Sequence, residues 1–116
     1  MTSEMREPTF LVLAALADGR KHGYALIKEA SVLSGGRVEL KVGTLYAALD
    51  RLQQEGLVAA AGDEVVDGRL RRYFELADAG ASALEVEIGR LEANATLAKD
   101  RLHRRLLAPD TSSAHA

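Results

Sequence analysis

The side chains able to do acid–base, nucleophilic or metal chemistry are few and scattered. The histidines are His22, His103 and His115, spread over a turn, a helix and the C-terminal tail. No pair has the spacing that puts two ligands on one helical face, and no carboxylate cluster joins them, so no metal site is expected. The chain has no Cys, which excludes a disulfide framework, a thiol nucleophile and a cysteine metal site. Ser31, Ser34 and Thr44 lack a glycine-flanked elbow and an identifiable base. Gly35-Gly36 is followed by no Lys-Ser/Thr pair, so it reads as a turn and not as a phosphate loop. Neither an enzyme nor a bound cofactor is expected. One group does point to a chemistry: Arg69, Arg71 and Arg72 flank the dipeptide Asp67-Gly68. Guanidinium groups at a tight turn suit phosphate contact. They also suit pairing with Asp63, Glu64 or Asp67 on the same surface, and both readings stay open.

The element that gives this cluster a context is the stretch from Gly43 to Leu57. Leu45, Ala48, Leu49 and Leu52 recur at i, i+3, i+4 and i+7, which places them on one face of a helix. Gly56 follows the last periodic residue and can end the helix in the left-handed conformation. The outward side carries Gly43, Thr44, Tyr46, Ala47, Asp50, Arg51 and Gln54. Its first turn is small and nearly uncharged, with one tyrosine. Such a face can lie flush on another surface, as the N-terminal turn of a helix does when it enters a DNA major groove.

Taken in order, residues 1–7 read as a short arm. Pro8 fits the start of a helix, which continues through the apolar run Phe10 to Ala17 and stops near Gly19. That helix is apolar all round. One face is expected to bury in its own domain and the other, with Phe10 and Leu13, to meet a partner chain. Arg20-Lys21-His22-Gly23 is a basic turn. A second helix over Tyr24 to Leu33 has Leu26, Ile27, Ala30 and Leu33 as its inner stripe, with Lys28, Glu29 and Ser31 outward. Arg37 to Lys41 alternates and could pair briefly as a strand, but reads better as the turn region into the central helix. After Gly56 the period shortens. Leu57–Ala61 and Leu70–Leu76 read as strands, with a hairpin turn at Asp67-Gly68. From Asp78 to about Leu107 the chain is helical. Ala81, Leu84, Ile88, Leu91, Ala95, Ala98 and Leu102 are spaced alternately by three and four, a heptad seam roughly 40 Å long. The alternative is a helix folded back on its own domain. Pro109 stops it, and the small polar residues after it read as a disordered tail.

Three blocks of this sequence resemble the PadR family of bacterial transcriptional regulators. They are His22-Gly23-Tyr24; Gly43-Thr44-Leu45-Tyr46 with Leu49, Arg51-Leu52 and Glu55-Gly56-Leu57; and Gly68-Arg69 with Arg71-Arg72-Tyr73-Phe74, Leu76 and Gly80. They stand in order over most of residues 8–80. The resemblance implies a mainly α fold with a β-hairpin: a winged helix-turn-helix over residues 1–77, then a dimerisation helix over 78–107 and a tail from 108. It further implies a homodimer on an inverted-repeat operator in double-stranded DNA, acting as a cytoplasmic repressor. Tyr24, Lys28 and Lys41 would then hold phosphates. Thr44, Tyr46, Ala47 and Arg51 would lie at the groove, and Arg69, Arg71 and Arg72 would form the wing contact. Phe10, Leu13, Leu84, Ile88, Leu91, Ala95, Ala98 and Leu102 would pair the protomers. The family also suggests a small aromatic or cationic inducer, whose identity here is unknown. With no Trp to stack on a planar ligand, weak binding of such compounds is expected.

The chain departs from the family where Ala47 replaces a common Pro, Lys41-Val42 replaces Ser-Pro, Leu70 replaces Pro, and Ala77 replaces a capping Thr, a role left to Asp78. A formal net charge of −2 argues against wholesale attraction to nucleic acid, though not against a local basic surface. The acids of the wing favour a rival reading, a protein-interaction module or anti-repressor of the same fold without DNA affinity. The longest apolar run is too short to span a bilayer, so no membrane partner is expected.

Overall fold

The computed structural model describes residues 5–108, and the tail with His115 and Pro109 lies outside them. The first helix, α1, is Glu7–Leu16, with Pro8 in its first turn where a missing N–H costs nothing. Leu11, Val12, Leu13, Ala15 and Leu16 are all buried inside the one chain. This corrects the expectation that one face of α1 must meet a partner. A helix apolar all round is a core helix, and here α2, the last strand and the start of the last helix supply its walls. Leu13, with no exposed surface, is core and not interface; Phe10 is half-buried. Met5, placed in the expected arm, already packs on the core.

A two-residue strand, β1 (Lys21–His22), replaces the expected basic turn. It is too short to carry a period and exists because a partner strand lies beside it. Helix α2 spans Gly23–Leu33 and is capped by His22, whose Nδ1 accepts the Ala25 N–H at 3.3 Å. Leu26 and Ala30 are buried, but Leu33, expected on the inner stripe, is 52% exposed at the helix end. Glu29, expected outward, instead stands 3.3 Å from Lys21 and is half-buried. Gly35 and Gly36 take positive φ, and the Gly36 N–H donates to the Ser31 carbonyl at 2.7 Å, closing the helix.

Helix α3 (Val42–Gln54) buries Leu45, Leu49 and Leu52 and leaves its outer face bare. Lys41 at the N-cap offers no side-chain hydrogen bond, as the loss of the capping Ser implies. Gly56 at φ 76° turns the chain, and the Leu57 N–H reaches back to the Leu52 carbonyl at 2.9 Å. Strand β2 is Val58–Val66 and β3 is Arg69–Leu76. The first is longer than its apolar run, and the difference lies in the turn. Asp67 and Gly68 both have positive φ, a two-residue connection that forces the residues before it to pair. A bulge between Ala60 and Asp63 absorbs the irregularity. The antiparallel sheet has the order β1-β3-β2.

Helix α4 (Asp78–Leu107) is 30 residues long, about 45 Å at 1.5 Å per residue. Asp78 sits in its first turn and is not the cap expected of it; Ala77 holds that position without a side-chain bond. Gly80 presses on the hairpin base so closely that an added Cβ would lie 2.0 Å from the Leu57 carbonyl oxygen. Leu84 and Glu87 are buried beside it. Glu87 accepts two hydrogen bonds from Arg90, at 2.9 and 2.5 Å, which hold its carboxyl below the usual range against the opposing effect of burial. From Leu91 onward every described residue is exposed, and the helix projects from the body.

Candidate nucleic-acid interface

Burying Leu45, Leu49 and Leu52 turns the opposite side of α3 outward. Val42, Gly43, Thr44, Tyr46 and Ala47 are all exposed in its first turns, and among them Tyr46 keeps 42% of its surface. None of them is charged, and Lys41 stands exposed just before the helix. On α2, Tyr24 is 71% exposed and Lys28 follows it one turn later on the same face. Both helices thus leave these residues exposed, Tyr24 and Lys28 on α2 and the uncharged first turn on α3. Arg51, farther along α3, is turned away: its Nη2 donates to Thr9 Oγ1 on α1 at 2.9 Å.

The wing differs in character. Arg72 Nε stands 3.5 Å from Asp63 Oδ1. Arg71 faces Glu64 across the strand pair, and Arg69 faces Val66. Cross-strand neighbours of opposite sign attract, so two of the three arginines have acidic neighbours within the hairpin. At the base of the wing the guanidinium of Arg20 lies 4.2 Å from the Tyr73 ring centroid, and its Nη1 donates to the Ala61 carbonyl at 2.9 Å. The Tyr73 ring meets His22 edge-on at 5.5 Å. Lys21 is held inside by Ala15, Asp18 and Glu29. Burial pulls its ammonium pKa down, but the two carboxylates more than offset this and leave it raised. The basic turn thus serves the interior and the wing base. Arg20 was not assigned to the wing from sequence, because only the pairing of β1 with β3 brings it there.

The model of the PadR-like family of transcriptional regulators matches residues 12–86. This chain belongs to that family. It is 38% identical over 81 residues to the transcriptional regulator Rv3488 of Mycobacterium tuberculosis, covering 70% of this chain and 72% of that protein. It is 46% identical over 77 residues to an uncharacterized 37.1 kDa protein in transposon TN4556 of Streptomyces fradiae. That match takes in 66% of this chain but only 21% of the transposon protein's length. The fold matches Bacillus subtilis PadR, solved in complex with operator DNA, with a TM-score of 0.63 at 20% identity over 72% of this chain and 47% of that one. The observed body is therefore a PadR-like winged helix-turn-helix followed by a long C-terminal helix.

On that helix the seam divides. Leu84 is buried in its own chain, whereas Ile88 (39%), Leu91 (42%) and Leu102 (61%) are exposed, and Ala95 and Ala98 with them. Leu97 and Leu106, off the seam, are exposed as well. Among the described residues no group of three or more His, Asp or Glu side chains is placed to hold a metal ion. No helix among them is long and apolar enough to cross a membrane.

Proposed function

We propose that this PadR-like protein binds double-stranded DNA sequence-specifically as a homodimer on an inverted repeat and represses transcription in the cytoplasm. The observation that carries this is the first turn of α3, where Thr44 and Ala47 are exposed, uncharged and small. A polar groove floor accepts such a surface without leaving a charge buried and unpaired. Thr44 and Ala47 stand at the groove, with Tyr24, Lys28 and Lys41 on the phosphates and Arg69, Arg71 and Arg72 on the wing. That Bacillus subtilis PadR, which shares this fold, was solved in complex with operator DNA supports DNA as the partner. Titration of duplex DNA at two salt concentrations tests it, since phosphate binding must weaken as salt rises.

The second reading, a protein-interaction module without DNA affinity, draws on the Arg72–Asp63 pair and the net charge of −2. Binding that does not respond to salt, or none at all, would favour it.

Two protomers would meet along the exposed part of α4, with residues 1–77 as the reading unit and 78–107 as the pairing helix. An aqueous helix with Ile88, Leu91 and Leu102 exposed along one seam gains by burying them against a copy of itself. Replacing both Ile88 and Leu91 with Glu is expected to give monomers by light scattering, because each change would bury an unpaired charge in the seam. An unchanged dimer would remove α4 from the interface.

A further inference from the structure

Gly23 opens α2, yet its φ is not in the left-handed region that demands glycine. Glycine is among the poorest residues in a helix, so the backbone does not explain its presence there. Space does. A Cβ on Gly23 would stand 2.5 Å from Tyr46 Oη, 3.0 Å from its Cζ and 3.2 Å from its Cε2. The tyrosine ring lies directly over the N-terminus of α2, and Gly23 is buried beneath it. The ring also meets Phe74, a core residue of β3, with centroids 6.2 Å apart and the planes at 64°. Tyr46 therefore touches α2 and β3 while belonging to α3.

We propose that Tyr46 is a positioning residue and not a reader of bases. Seated in the space that Gly23 leaves, it fixes the tilt of α3 against α2 and the wing strand, so that Thr44 and Ala47 reach the groove floor. The adjacent contacts brace the same corner. His22 caps α2 and meets Tyr73, which is covered by Arg20. The proposal rests on the reading that the first turn of α3 faces DNA.

The test is a cycle of Gly23→Ala, Tyr46→Phe and the double variant. The atom that obstructs a Cβ is the far end of a side chain, so Gly23→Ala should fold while displacing the ring. Its preference for operator over random DNA should fall about tenfold or more, the size of one mismatched base pair. Its affinity for random DNA should hold, since phosphate contacts carry no sequence information. Tyr46→Phe alone should keep the preference. In the double variant the 2.5 Å clash disappears with the hydroxyl and only the tight 3.0 and 3.2 Å contacts to ring carbons remain, so part of the preference should return. Loss of preference in Tyr46→Phe alone would make the hydroxyl a reader and overturn the proposal. So would a double variant no better than Gly23→Ala. Nuclear Overhauser contacts between the Tyr46 ring and Gly23 Hα judge the seat without DNA. They should be present in the unaltered protein and absent in Gly23→Ala; their absence from the former would also overturn the proposal. If those contacts are found but no DNA binds, the DNA reading fails and the seat stands.

Discussion

The first turn of α3 and the wing both face outward, but they differ in what already occupies their side chains. Thr44 and Ala47 have no charge to neutralise. The wing presents arginines, yet Arg72 lies beside Asp63 and Arg71 is paired in register with Glu64. One surface suits contact by shape and hydrogen bonds. The other suits a weak electrostatic clamp, partly offset by its own acids. The difference predicts two separable phenotypes, because base contacts specify and phosphate contacts position.

The largest expected effect is at Ala47. A glutamine there would hold the helix away from the groove floor. Operator preference, commonly roughly 10³-fold or more for specific binders, should fall toward none in competition assays, with salt-sensitive binding to random DNA retained. Next comes the wing. Replacing Arg69 and Arg71 with Ala should weaken binding to all sequences and lower the salt slope by roughly one to two units. A smaller effect of opposite sign is expected from Asp63→Asn, which frees Arg72. An exposed pair is worth little, so affinity for any duplex should rise roughly two- to fivefold at low salt and the gain should shrink as salt screens it.

How much of this contrast was legible before folding depends on how local each feature is. The helical period marked the inner stripe of α3, and Asp67-Gly68 marked the hairpin turn, because both signals lie within a few residues. The span of α4 was visible in its unbroken seam. Leu13 was misplaced because a helix apolar all round does not say which neighbours cover it, and here α2, β3 and α4 together wall in α1. Strand β1 is two residues long and is defined only by β3. The approach of Gly23 to Tyr46 and the reach of Arg20 to Ala61 join residues distant in sequence, and no local pattern encodes them. The outward residues of α3 were legible because exposure follows from the period; the internal pairing of the wing needed the register.

The smallest expected effect concerns the turn that delivers α3. Arg37 donates to both Glu7 carboxylate oxygens, at 3.1 and 2.5 Å, tying that turn to α1. The hydrogen bond from Arg37 holds the Glu7 carboxyl below its ordinary value. A group whose pKa is depressed on folding stabilises the fold above its unfolded pKa. That contribution is lost as the pH falls through the folded value. Glu7→Gln should therefore lower Tm slightly at neutral pH, and the two melting curves should converge as the solution is acidified through the carboxylate range.

The division between reader and clamp is tested most directly by one set of titrations. An operator is first selected from bound genomic fragments. Its affinity and that of random duplex are then measured at two salt concentrations for the unaltered protein, Ala47→Gln, and the Arg69 and Arg71 double alanine variant. The account predicts that Ala47→Gln loses the operator-to-random ratio while keeping its salt slope, and that the wing variant keeps the ratio while losing slope. A wing variant that changes the ratio, beside an Ala47→Gln protein that preserves it, would contradict the account.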